Sequence, residues 1–191
     1  MARWEPNARE RLVRAAIDLF AEQGFDATTV NEIAERAGGL TKTTFFRHFS
    51  DKREVLYAGQ EMHAEIVSDA IASAPDTARP LAMVGTAIDE LSAVFTEDRR
   101  EMGAKLRRVI AESAELRERA AYKRASLAEA MTQALRERGV PELVAGLAAE
   151  LGTRAFYVAF ERWVTSADRR TLADQAREAY AELRVAVSEL E

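Results

Sequence analysis

The chain has no cysteine among its 191 residues, which excludes disulfides and thiolate metal sites alike. Only four prolines and nine glycines interrupt a composition rich in alanine, leucine, glutamate and arginine, so helix is favoured nearly everywhere. With two histidines and no Glu-x-x-His pair, neither a structural zinc site nor a di-iron site is expected, and no other metal or cofactor is implied. No uninterrupted apolar run approaches the roughly 20 residues that span a bilayer. The segment Met1-Ala2-Arg3-Trp4-Glu5-Pro6 lacks the apolar core of a signal peptide. A cytoplasmic protein with no membrane partner is the expectation. Also missing are a Gly-x-Ser-x-Gly elbow, a phosphate loop and a dinucleotide fingerprint, and the acidic residues stand near basic ones on helical faces. These absences argue against an enzyme.

What remains is a globular composition, 48% hydrophobic and 31% charged. The formal net charge is -5, but it is unevenly spread. Residues 1–54 carry nine basic and nine acidic side chains, so the deficit lies wholly in the later part. Within residues 36–53 five cations, Arg36, Lys42, Arg47, Lys52 and Arg53, face the single acid Asp51. Salt screens charge over roughly 10 Å, so such a local patch can attract phosphate on an acidic protein.

Apolar periodicity and capping signals divide the chain into about nine helices with no alternating strand pattern, an all-α fold. The first runs from about Ala8 to Gln23, with Leu12, Ala16, Leu19 and Phe20 on one stripe and Gly24 as its stop. Thr29-Val30-Asn31-Glu32 reads as a capping box opening a second helix that ends at Gly38-Gly39. Thr41 caps a third, from Lys42 to about His48, with Leu40, Phe45 and Phe49 inward. Ser50 or Asp51 caps a long fourth helix reaching about Ser73. Beyond Pro75 follow helices over about 80–95, 99–113, 115–138 and 141–166, and a last one capped by Asp168 and reaching about Leu190. Three short helices with a tight turn between the second and third describe a helix-turn-helix, giving domains at 1–54 and 55–191.

The stretch from Glu32 to Lys52, Glu-Ile-Ala-Glu-Arg-Ala-Gly-Gly-Leu-Thr-Lys-Thr-Thr-Phe-Phe-Arg-His-Phe-Ser-Asp-Lys, resembles the DNA-binding domain of the TetR family of bacterial repressors. The match covers about residues 8–56. By this resemblance, Lys42, Thr43 and Thr44 enter the major groove, while Thr29, Thr41, His48 and Lys52 hold phosphates. His48 also reads as a structural histidine. Lysine can donate to guanine O6/N7 and a threonine methyl can pack on thymine. Burying Phe45 and Phe49 turns Lys42, Thr43, Phe46 and Arg47 outward. Two departures stand out: Gly38-Gly39 makes the turn one residue longer than the usual form, and Phe46 replaces a tyrosine whose hydroxyl reaches phosphate.

The resemblance further implies a double-stranded palindromic operator, a homodimer and a pocket in the second domain for a small apolar or amphipathic effector. Met62, His63, Ile66, Met83, Phe95 and Met102 are candidates to line it, with Leu106, Ile110, Tyr122, Phe156, Tyr157 and Phe160. Core is the safer reading of any one of them. Dimerisation is expected through the last two helices, along Ala145, Ala149, Gly152 and Phe156 and along Leu172, Ala176, Ala179, Leu183, Ala186 and Leu190. Rival readings are a helix-turn-helix DNA binder whose second domain only dimerises, and an all-α enzyme or interaction module whose helix-turn-helix serves a protein partner.

Overall fold

The computed structural model describes residues 7–190, so the expectation for Met1–Pro6 lies outside the described residues. Among them are nine α-helices, two short 3-10 turns and no strand. The first compact unit comprises the chain through Ala58 together with Glu101–Ala120, and the second comprises Gly59–Arg100 with the chain from Ala121 onward.

The first unit holds α1 (Ala8–Gln23), α2 (Val30–Arg36) and α3 (Lys42–His48). Leu12, Ala16, Phe20, Ile33, Phe45 and Phe49 form its core. Val109 of α6 (Arg100–Glu112) and Leu116 of α7 (Ala114–Glu137) are buried in the same core. Their apolar spacing looks like that of any other helix, so only the fold reveals which core they complete.

The expected long fourth helix is broken. Arg53–Tyr57 form a 3-10 turn, and α4 begins only at Gln60 and runs to Ala72. Val55, Leu56 and Tyr57 are all buried, and three consecutive inward side chains do not fit one stripe of an α-helix. The tighter 3-10 winding brings them inward, and the Tyr57 hydroxyl donates to the Leu116 carbonyl at 2.9 Å. Asp51 still caps this turn, its Oδ1 accepting from the Arg53 and Glu54 amides. The final helix is likewise capped by another residue. Thr171, paired reciprocally with Asp174, starts α9 (Leu172–Ser188), whereas Asp168 accepts from the Arg170 amide in the preceding loop.

In the second unit α5 (Pro80–Ala93) packs against α4, α8 (Glu142–Thr165) and α9, and α8 packs against α9. By length and composition α8 alone among the described helices could cross a membrane, but a core helix passes the same test. Its Ala145, Ala149, Phe156 and Trp163 are buried within the unit. Much of the small-residue stripes expected at a dimer interface is thus core, Gly152, Leu172, Ala176 and Ala179 also being buried in their own chain, whereas Leu183 is half-buried and Ala186 and Leu190 are exposed. A methyl at Gly152 would overlap the Val84 side chain and meet Ile88 Cγ1 at 3.4 Å. Gly152→Ala is expected to destabilise the protein by about 1–3 kcal/mol, read as a lowered midpoint in thermal unfolding.

Candidate nucleic-acid interface

The interface is built from the caps outward. Thr29 Oγ1 accepts the Glu32 amide while the Glu32 carboxylate accepts the Thr29 amide at 2.7 Å, closing the capping box that starts α2. The Thr29 hydroxyl also donates to that carboxylate at 2.7 Å, and this bond, with that from the Thr29 amide, holds the Glu32 carboxyl below its ordinary range. The α2–α3 turn needs its glycines: Gly38 and Gly39 both take positive φ, 97° and 75°. A Cβ on Gly38 would strike the Arg11 guanidinium, whose Nε donates to the Ala37 carbonyl at 2.7 Å. The Leu40 amide then returns to the Ala34 carbonyl at 2.8 Å. The additional residue is absorbed within this closed turn.

Thr41 next caps α3, accepting the Thr44 amide at 3.1 Å, and its hydroxyl lies 3.1 Å from that of Thr44. Phe45 is fully buried and Phe49 nearly so, their rings 5.5 Å apart. With 3.6 residues per turn, this anchoring puts Thr43 and Arg47, four apart, at the centre of the outward face. Lys42, Thr43, Phe46, Arg47 and His48 are exposed, and Thr44 is half-buried. Phe46 leaves 47% of its surface in solvent beside Lys42, whose Nζ is 5.9 Å from the ring centroid. A short helix thus offers a cation, a hydroxyl, an apolar ring and a guanidinium on one accessible side.

The five-cation patch divides on inspection. Arg36 forms a two-pronged pair with Glu22 at 2.9 and 3.0 Å, and Arg53 pairs with Asp51 and Glu115, both at 2.6 Å. Lys52 Nζ donates to the Phe25 and Thr28 carbonyls at 2.5 and 2.9 Å. Among the described residues Arg47 has no side-chain hydrogen bond or ion pair and Lys42 none beyond its ring contact, so these two carry the uncommitted charge. Charge counting along the sequence missed this because, Asp51 apart, the neutralising partners lie 14 to 62 residues away. It also missed Arg9, whose guanidinium donates to the Ala58 carbonyl and lies over the Phe49 ring.

The residues expected around an effector are divided between the two units. Met102, Leu106 and Ile110 pack against the core containing Phe45. In the second unit His63, Phe95, Phe156, Tyr157 and Phe160 form a ring network with Trp163, with successive centroids 5.3 to 6.4 Å apart. Met83 and Phe156 belong to the buried core, Ile66 packs on it, and Met62 and Tyr122 are exposed. The Arg124 guanidinium lies over the Tyr157 ring at 4.3 Å, and burial raises the Tyr157 hydroxyl pKa.

Burial, with Lys123 and Arg99 as lesser causes, pushes His63 down to about 4. Between about pH 6.5 and 4 the unfolded chain therefore binds the proton that folded His63 refuses. Stability contributed by neutral His63 is complete above pH 6.5 and is lost as pH falls through this window. His63→Phe should flatten that part of the stability–pH profile relative to the parent, measured by denaturant unfolding at several pH values.

This arrangement defines a helix-turn-helix head joined to a helical second unit. Residues 12–58 match the family model described as bacterial regulatory proteins, tetR family. The chain is 51% identical over 47 residues to the HTH-type transcriptional regulator TcmR of Streptomyces glaucescens, a match covering 25% of this chain. The match spans only 20% of that relative's length. Two solved structures share the fold over nearly the whole chain. FadR of Thermus thermophilus, a TetR-family transcriptional repressor in complex with lauroyl-CoA, is 24% identical over 92% of this chain and 93% of its own, with TM-score 0.57. The SmeT–triclosan complex is 22% identical over 94% and 90%, with TM-score 0.64. Over residues 12–58 the chain thus carries a helix-turn-helix similar to those of TetR-family transcriptional regulators.

Proposed function

We propose that this chain acts as a homodimer on a palindromic operator and is released from it by a small apolar or amphipathic effector, as a repressor. The outward face of α3, with Lys42 and Arg47 uncommitted above a fully buried Phe45, is the observation that carries the reading. In this role Lys42, Thr43 and Thr44 address base edges and Phe46 packs against a thymine methyl. Thr29, Thr41 and His48 approach phosphates on either side. Selection of bound sequences from random duplex DNA tests it. Recovery of a palindrome with half-sites about one helical turn or slightly more apart is expected. Failure to enrich any palindrome, or binding without salt dependence, would favour a protein-binding module instead.

Dimerisation through α8 and α9 is supported by apolar residues that the chain leaves uncovered. Leu143 and Leu147, one turn apart on α8, are 82% and 74% exposed, and Val185 and Val187 are exposed on α9. The proposed contact surface uses these residues in place of the buried alanines of the two helices. A Leu143→Glu, Leu147→Glu double variant is expected to sediment as a monomer and to lose operator affinity while remaining helical. A variant that stays dimeric would move the interface elsewhere.

For the effector, support comes from the half-buried Phe95, Tyr157 and Phe160 beside Trp163, whose buried Nε1 donor finds no acceptor among the described residues. An apolar ligand bearing a hydrogen-bond acceptor suits these groups. The two solved complexes named above make lauroyl-CoA and triclosan the first compounds to test. A ligand that binds one separation of the paired heads more tightly than another shifts the population, which is all that release requires. A second reading, a second domain that only dimerises, is favoured by Met83 and Phe156, which are packed core. Compounds that raise the melting temperature and release DNA together support the effector; a screen yielding none supports the scaffold.

A further inference from the structure

We infer that Lys52 is a positioning residue, an ammonium bracket that fixes the loop leading into α2 in place of holding a phosphate. Three observations converge on its Nζ. It donates to the Phe25 carbonyl at 2.5 Å and to the Thr28 carbonyl at 2.9 Å, across 27 and 24 residues of chain. It also lies 4.2 Å from the centroid of the Phe25 ring, a cation–π distance. The side chain itself is half-buried, unlike Lys42 on α3.

Other contacts shape the same loop. Gly24 adopts φ 88° to end α1, and Phe25 packs edge-on to Phe20 at 5.1 Å. Thr28 is buried and donates its hydroxyl to the Gly24 carbonyl at 2.8 Å. The next residue is Thr29, which caps α2. Two carbonyls pointing at one ammonium fix where the cap sits, and the cap fixes where α2 starts. Gln23 completes the bracket from the other side, its Nε2 reaching Thr28 Oγ1 at 3.3 Å and Glu32 Oε1 at 3.4 Å. An ammonium has three N–H donors, and two are committed to these carbonyls. The lysine therefore acts on DNA through Thr29 and α2.

The inference deepens the DNA-binding reading above and rests on it only for its second readout. In DNA-free protein, Lys52→Met keeps the length of the side chain and removes charge and donors. Amide hydrogen exchange over residues 25–32 is expected to rise roughly tenfold or more, since charge-assisted hydrogen bonds are lost. Lys52→Gln, which keeps an N–H donor, should give intermediate exchange, and Lys52→Arg should restore protection. These two variants carry the same test where Lys52→Met does not fold. On the selected operator duplex, Lys52→Met should bind more weakly with an unchanged dependence of log affinity on log salt. A slope reduced by about one would identify a phosphate contact and overturn the inference, as would exchange rates equal to those of the parent. If neither parent nor variant binds DNA, the functional reading fails while the exchange measurement still decides the role of Lys52.

Discussion

Phe45→Ala is expected to cost about 3–5 kcal/mol, enough to unfold the DNA-binding head or leave it marginal. Phe45 has no solvent exposure and lies in one cluster with Leu12, Ala16, Phe20, Ile33 and Phe49. It is the buried side chain within α3 itself, so the truncation removes both the transfer free energy of the ring and the anchor that orients the helix. Its rings with Phe46 and Phe49, at 5.4 and 5.5 Å, lose their partner at the same time. The helix can keep its Thr41 cap and still turn about its axis, so operator binding should fall further than stability alone dictates. Circular dichroism melting with a parallel gel-shift titration reads both effects. Phe45→Leu, which refills much of the volume, should recover most of each. An unchanged midpoint for Phe45→Ala would show that α3 is held by something other than this ring.

The second large effect is on affinity and leaves the fold intact. Lys42→Ala and Arg47→Ala alter exposed side chains that support no buried group, so melting should not change. Lys42 stands in the first turn of α3, where a helix entering the major groove reaches base edges. Its loss is expected to weaken operator binding by about 1–3 kcal/mol, roughly ten- to over a hundredfold in Kd. Arg47 lies four residues after Thr43, on the centre of the same outward side. Its loss separates two contact types. A base contact gives the same loss on the operator and little change on unrelated DNA, whereas a phosphate contact weakens both and lowers the salt slope by about one. Titrations at a series of fixed salt concentrations distinguish them. Wild-type affinity for both variants would remove α3 from the groove.

The parts of this fold that could be read in the sequence are those fixed by residues within a turn of one another. Thr29 with Glu32 and Thr41 with Thr44 are three apart, and each forms the cap that its spacing announces. Gly24 ends its helix with positive φ as its position suggested. Legibility fails where a residue's role depends on distant chain. The fourth helix looks continuous until Val55, Leu56 and Tyr57 must all be buried, partly against Leu116. Asp168 and Thr171 are both sound caps in isolation, and only Asp174 in the capping-box geometry decides between them.

The site shows the same division. Which way α3 faces follows from Phe45 and Phe49, so Lys42 and Arg47 could be named in advance. Which cations remain available could not, because Glu22 neutralises Arg36 and the Phe25 and Thr28 carbonyls engage Lys52. The alanine stripes of α8 and α9 carry no mark distinguishing an interface from a core. The close approach of Gly152 to Val84 assigns the α8 stripe to the core, while Ala186 and Leu190 of α9 stay exposed.

The central claim is that the exposed side of α3 reads bases directly. Parallel selections from random DNA with the parent and with Lys42→Ala measure this at nucleotide resolution. The variant is expected to lose preference at one symmetry-related pair of positions and to keep the rest of the palindrome. Identical sequence preferences from the two proteins would contradict it.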